Sequence, residues 1–209
     1  MTLIAKRGYV PKDERNFSPA ALEKMRTASR HVEYLINEGY DLKQAATFVG
    51  NHLLLSERQR LAIMRSLATE EQLVERRRKE VSAISGKDVF IVGFNIIIML
   101  EVLLSDSILF ACMDVTIRDL AALRGTYRII PETQGAVRLL LETLRKMEVR
   151  AAHILLDEPI SKSGRLKVLI AKNGEEYPFD PDIQILRDVD RALLEQENVI
   201  TTDSVILDH

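Results

Sequence analysis

Through residues 18–86, apolar side chains recur at intervals of three and four, the spacing that gathers them on one face of a helix. Ser18 followed by Pro19 marks a helix start, because Ser caps the free N–H groups and Pro suits the first turn. Leu22, Met25, Val32, Leu35 and Ile36 then form one face, and Gly39 terminates it. Asp41 opens a second helix with Leu42, Ala45, Ala46 and Val49 inward and Gly50 at its end. Ser56 with Gln59, and Thr69 with Gln72, have the spacing of capping boxes. They predict a third helix carrying Leu61, Met64 and Leu67, and a fourth running through "EQLVERRRKEVSAIS". Residues 1–17 lack this period and are expected to form an irregular arm. Residues 18–86 therefore read as a small all-α domain.

From residue 87 the period shortens. The apolar runs "VFIV", "ILFAC", "AAHILLD" and "NVITTD" read as strands, and helical stretches separate them. One such stretch, around 132–147, places Val137, Leu140, Leu141, Leu144 and Met147 on one side. Strands alternating with helices imply right-handed crossovers and a mainly parallel sheet covered on both faces. Residues 173–190 read as a loop followed by a short strand or turn. The fold class predicted for 87–209 is α/β, preceded by the helical domain.

The stretch "DVFIVGFNIIIMLEVLLSDS" is the most apolar, yet it is too short to span a bilayer and is interrupted by Gly93, Asn95 and Glu101. It reads as a strand, a turn and an internal helix, which excludes a membrane protein. One cysteine, Cys112, rules out an internal disulfide framework and suits a reducing, cytoplasmic setting. The net charge of −2 conceals an asymmetry. Residues 1–87 hold 16 Lys and Arg against 11 Asp and Glu, and residues 88–209 hold 13 against 20. A basic module beside an acidic one fits polyanion binding on one side and cation binding on the other, or ordinary surface variation.

Ligands of open parallel sheets bind at the carboxyl ends of the strands. The chain places Asp114 after "ILFACM", Asp157 at the end of "HILLD" and Asp203 at the end of "VITTD", with Asp119 and Asp208 five residues further on. Three strand-end aspartates that converge need protons or cations to be tolerated, and oxygen-only ligands select Mg2+ or Mn2+. Each is also a residue type common in loops as a cap, and Asp119 has Arg118, Arg124 and Arg128 as candidate partners. After Asp157, "PISKSGRLK" offers Ser161 or Ser163 as a helix cap, and with Lys162 and Arg165 a seat for a substrate phosphate. "RRRK" at 76–79 is a solvated helix face or a nucleic-acid contact.

"RDLAALRGTYR", "LLDEPISKSGRLK" and "VITTDSVILD", with "YLINEGYDLKQAATFVGNHLLLSERQRLAIMR" before them, resemble an uncharacterised prokaryotic family. That family joins a helical N-terminal domain of unknown function to a PIN-like (NYN-related) domain. The resemblance covers nearly the whole chain from about residue 20 and implies a PIN-like three-layer fold and a Mg2+- or Mn2+-dependent endoribonuclease acting on single-stranded RNA. On that reading Asp114, Asp157 and Asp203 are the metal ligands and catalytic residues. Asp119, Asp208, Asn95 and Glu101 would support them, and a metal-bound hydroxide would serve as base. The family's first strand ends in an Ile-Asp-Gly-Phe-Asn-like turn, whereas this chain reads Ile91-Val92-Gly93-Phe94-Asn95. Asn51 and Val115 likewise replace a usual aspartate and a usual glycine. Two expectations follow: a metal site with fewer acids, or a non-catalytic module on the same fold that binds RNA or protein. A homo-oligomer is compatible with either.

Overall fold

The computed structural model describes residues 6–121, 126–179 and 181–209. The chain divides into two compact units that are not contiguous in sequence. One comprises Gly8–Glu80 and Ile108–Leu120. The other comprises the described parts of Met1–Arg7, Val81–Ser107 and Ala121–His209. This differs from a simple division at residue 86: a hairpin from the α/β half joins the helices, and Arg7 joins the sheet.

The helical unit contains α1 (Asp13–Asn16), α2 (Pro19–Asn37), α3 (Leu42–His52), α4 (Glu57–Ser66) and α5 (Glu70–Lys79). The caps fall where the sequence places them. Ser18 Oγ accepts from the Ala21 N–H, Asp41 from Gln44, and both capping boxes are closed on each side. Gly39 adopts φ +88°, the left-handed conformation expected of a terminator. Gly50, in contrast, lies inside α3, where an added Cβ would meet Arg60 Nε at 2.6 Å. Close approach of Arg60, rather than termination, explains that glycine.

Residues 8–17 are not a loose arm, because Asp13 is buried and accepts from Arg58 Nε and Nη2 at 2.8 and 2.7 Å. "ILFAC" does not join the parallel sheet. Its β2 (Leu109–Ala111) pairs antiparallel with β3 (Ile117–Asp119) in a separate two-stranded sheet. Phe110, Met113 and Leu120 pack into the helical core with Met25, Val32 and Ile63.

The sheet unit has four parallel strands in the order β5-β4-β1-β6. These are β1 (Asp88–Val92), β4 (Ala151–Asp157), β5 (Asp182–Leu186) and β6 (Val199–Ile200). Helices α6 (Gly93–Leu104), α7 (Pro131–Lys146) and α8 (Ser163–Gly174) follow in the crossovers, then α9 (Val189–Leu193) and α10 (Ser204–Leu207). Strand alternation sorts side chains to two faces. Val89, Ile91, Ile154 and Leu156 pack with Ile97, Val137, Leu141 and Ile170. Val92 and Leu155 face the other way and pack with Val189, Leu193 and Ile206. "GFN" is the first turn of α6 rather than a loop, and Gly93 is required there. A Cβ would lie 2.9 Å from the Leu155 carbonyl and 2.6 Å from Leu156 Cδ2. Met147 caps α7 and is exposed, unlike the four leucine and valine positions before it. No helix among the described residues is long and apolar enough to cross a membrane.

Candidate functional site at the carboxyl rim of the sheet

Parallel strands aim their C-terminal ends at one rim. Here β4 ends in Asp157, the chain leaving β5 carries Asp188 and Asp190, and that leaving β6 carries Asp203. Asp188 is the N-cap of α9 and accepts from the Arg191 N–H at 3.0 Å. Asp203 caps α10 and accepts from the Val205 N–H at 2.9 Å. None of the four carboxylates pairs with a cation among the described residues. Burial pushes the Asp157 carboxyl above its ordinary value, and the negative charges of Asp190, Asp188 and Asp203 push it further. Asp190 is raised by desolvation and by Asp203 and Asp188. The four side chains thus feel one another electrostatically, although no three His, Cys, Asp or Glu among the described residues stand close enough to hold a metal ion directly.

Of the ligand set expected from sequence, Asp157 and Asp203 reach this rim and Asp114 does not. Asp114 sits in the β2–β3 hairpin of the helical unit, where Arg76 Nη1 and Arg118 Nη2 each donate to its Oδ2 at 2.5 Å. Thr116 donates to Oδ1 through its hydroxyl at 2.6 Å. Burial alone would raise this carboxyl; the Thr116 hydrogen bonds and the Arg118 guanidinium outweigh it and hold it below its ordinary value. A carboxylate so engaged is structural.

The supporting residues also resolve differently. Glu101 is fully buried and its oxygens accept from Arg7, Tyr127 and Thr133, so its carboxylate is engaged inside the core rather than presented at the rim. Asn95 Oδ1 accepts from the Thr202 N–H at 2.8 Å and the Thr202 hydroxyl at 3.0 Å, which ties α6 to the chain before Asp203. Asp119 is buried on β3 in the helical unit, and Asp208 is exposed at the C-terminus of α10. Arg124, one partner expected for Asp119, lies outside the described residues.

The start of α8 differs from the expected capping. Neither serine caps α8 through its side chain: the N-cap is Lys162, in a left-handed conformation at φ +67°. Ser161 Oγ instead donates to the Tyr127 carbonyl at 2.9 Å. Ser163 opens the helix, and Lys162 and Arg165 are exposed. Asp188 and Asp190 were not among the expected ligands. The signal for them was the alternation in "DIQIL", polar-apolar-polar-apolar, which marks a strand with one buried face and makes "RDVD" a strand end.

Comparison with known proteins places these features in a family. Residues 81–209 match the model of a domain of unknown function, DUF5616, and residues 24–79 match that of a protein of unknown function, DUF434. An uncharacterised protein of Methanocaldococcus jannaschii, MJ0935, is 35% identical over 182 residues, covering 86% of this chain and 87% of the relative. No solved structure matches the chain significantly.

Proposed function

The chain belongs to the two-domain DUF434–DUF5616 family, and we propose that its sheet unit is a PIN-like ribonuclease domain that uses Mg2+ or Mn2+ at the aspartate rim to cleave single-stranded RNA. The observation that carries this reading is the gathering of Asp157, Asp188, Asp190 and Asp203 with no cationic partner among the described residues. The donor set is all oxygen, which suits hard ions. Because no three acids among the described residues form a ready-made cage, it fits an ion that keeps much of its water and takes one or two carboxylates, as Mg2+ does. When bound, such an ion would activate water and offset charge on the scissile phosphate. The chain's own residues do the rest. Asp157 and Asp190, both raised by burial and by neighbouring carboxylates, hold the ion. Asp203, fixed by its cap to α10, orients the set. Lys162, Ser163 and Arg165 at the start of α8 hold a phosphate of the RNA.

A second reading has one observation in its favour. Val92 stands where the resemblance implies an aspartate, and its side chain is buried among Leu155, Val189, Leu193 and Ile206. That favours a catalytically silent module that binds RNA or a protein. Thermal unfolding with increasing Mn2+, combined with cleavage of a labelled single-stranded RNA, separates the two. The nuclease reading expects a rise approaching roughly 2.7 kcal/mol at a hundred times Kd, lost in Asp157→Asn, together with metal-dependent cleavage. Stabilisation without cleavage leaves the silent module. No stabilisation at all removes the metal from both.

A further inference from the structure

Glu101 lies on α6 in the interior of the sheet unit, and no solvent reaches it. Its Oε2 accepts from Arg7 Nε at 2.7 Å, and its Oε1 accepts from the Tyr127 hydroxyl at 2.6 Å and from the Thr133 hydroxyl. Arg7 comes from the far end of the chain. Its guanidinium lies 4.9 Å from the centroid of the Tyr127 ring, its Nη2 donates to the Arg128 carbonyl, and its backbone N–H donates to Ser105 Oγ at 3.1 Å. An ionised carboxylate this deep is tolerated only when a cation and further donors satisfy it. Every donor here is supplied by a different segment: 6–7, 126–130 and the first turn of α7. The network therefore fixes segment 126–130 against α6, with Phe94 edge-on to Tyr127 at 5.1 Å between ring centroids.

That segment has a second attachment. The Tyr127 carbonyl accepts from Ser161 Oγ at 2.9 Å, within the loop that runs from Asp157 to the start of α8. We propose that Arg7 is a positioning residue: it neutralises Glu101, the neutralised network holds Tyr127, and Tyr127 anchors the loop that carries Lys162 beside the aspartate rim. A corollary concerns the domain itself. The family match to the sheet unit spans 81–209, which omits Arg7, so that stretch alone has a buried carboxylate without its cation. The part of the inference that concerns RNA rests on the function proposed above; the part that concerns the loop does not.

The test uses full-length protein and two readouts. Amide hydrogen exchange over residues 158–163 reports the anchor directly. Arg7→Met is expected to accelerate it about tenfold, the equivalent of one lost hydrogen bond, and to lower Tm by about 10 °C. Arg7→Met/Glu101→Gln, which removes both charges, recovers Tm and loop protection together. Ser161→Ala accelerates exchange in the same loop at nearly unchanged Tm, and it keeps the test decisive should Arg7→Met fail to fold. Loop protection unchanged in Ser161→Ala, or lost in Arg7→Met no more than elsewhere in the sheet unit, would overturn the assignment and leave Arg7 as a stabilising contact only. The second readout is the Kd for a single-stranded RNA oligonucleotide. Arg7→Lys and Ser161→Ala each weaken binding several-fold, and their combination weakens it no further. Additive losses break the proposed link between the two residues. If wild type binds no RNA, the functional proposal fails while the exchange data still decide the anchor.

Discussion

Two groups of aspartates in this protein follow apolar runs and look alike in sequence, but their surroundings are opposite. Asp114 in the helical unit is 3% exposed at its side chain and takes two guanidinium groups and a hydroxyl. Its carboxyl is held below the ordinary range. Asp157 and Asp190 in the sheet unit make no ion pair among the described residues, and burial and neighbouring carboxylates raise both. Burial penalises charge in both places; what differs is whether the chain supplies the counter-charge. Where it does, the acid belongs to the architecture. Where it does not, a proton, water or a cation from solution can answer the charge, and that is the physical content of a candidate site.

The sharpest way to break this comparison is to remove the acid that has partners. Asp114→Asn leaves Arg76 and Arg118, at 6% and 5% side-chain exposure, facing a neutral amide. A buried pair broken on one side typically loses about 3–5 kcal/mol, measurable by urea unfolding at neutral pH. The pH dependence has a definite sign. A carboxyl lowered from its ordinary value of 3.8 contributes stability above that value and loses it as pH falls through the folded value. The difference between wild type and variant should therefore close below about pH 3.8. A loss under about 1 kcal/mol at pH 7 would show that Asp114 is not held as the structure has it.

The converse substitution adds a carboxylate where nothing balances it. Val92→Asp replaces a side chain 6% exposed, packed in the apolar cluster with Leu155, Val189, Leu193 and Ile206. The expected loss is about 2–3 kcal/mol, less than for Asp114→Asn because an introduced carboxyl can take up a proton. Its penalty deepens as pH rises, as does that of Asp114→Asn, but here because the new carboxylate ionises without a counter-charge rather than because a paired one is missing. Added Mn2+ should recover part of it if the new carboxylate turns toward the rim. An unchanged midpoint in urea at pH 7 would mean that this cluster is not the closed apolar pocket described here.

Much of the architecture was legible from local chemistry. Ser18, Asp41, Ser56 and Thr69 each cap the helix they announce, since capping depends on a few neighbouring residues. What escaped depended on partners distant in sequence. The run "ILFAC" reads like any buried strand, yet β2 pairs with β3 rather than with the parallel sheet, so Asp114 never was a rim residue. The strand "DIQIL" sits at an edge and alternates, so it lacks the continuous apolar run that marks a central strand. Read only as a short strand or turn, it does not mark Asp188 and Asp190 as following a strand end. Glu101, on the helix that follows the first strand, is expected to support a metal site with fewer acids. Its three donors come from residues 7, 127 and 133, and no spacing rule reveals such a convergence.

The smallest effect is the most specific to the rim. Asp190 is exposed, so solvent screens its repulsion with Asp203 and Asp188, and relieving it by Asp190→Asn should stabilise the protein by only a few tenths of a kcal/mol at pH 7. The sign nevertheless separates it from Asp114, whose carboxyl is lowered. A carboxyl raised in the folded state holds its proton more tightly there, so stability falls as pH rises from the unfolded value of 3.8 through the raised one. Wild type should therefore gain on Asp190→Asn as pH falls from 7 toward 4, the two curves meeting where Asp190 is protonated. Saturating Mn2+ should invert the ranking at pH 7, because the ion stabilises wild type through the very repulsion that the amide removes. A differential scan at pH 7 with and without the ion shows this as a crossing of the two Tm values. Parallel shifts in both proteins would place the ion elsewhere and leave the four aspartates as a solvated edge.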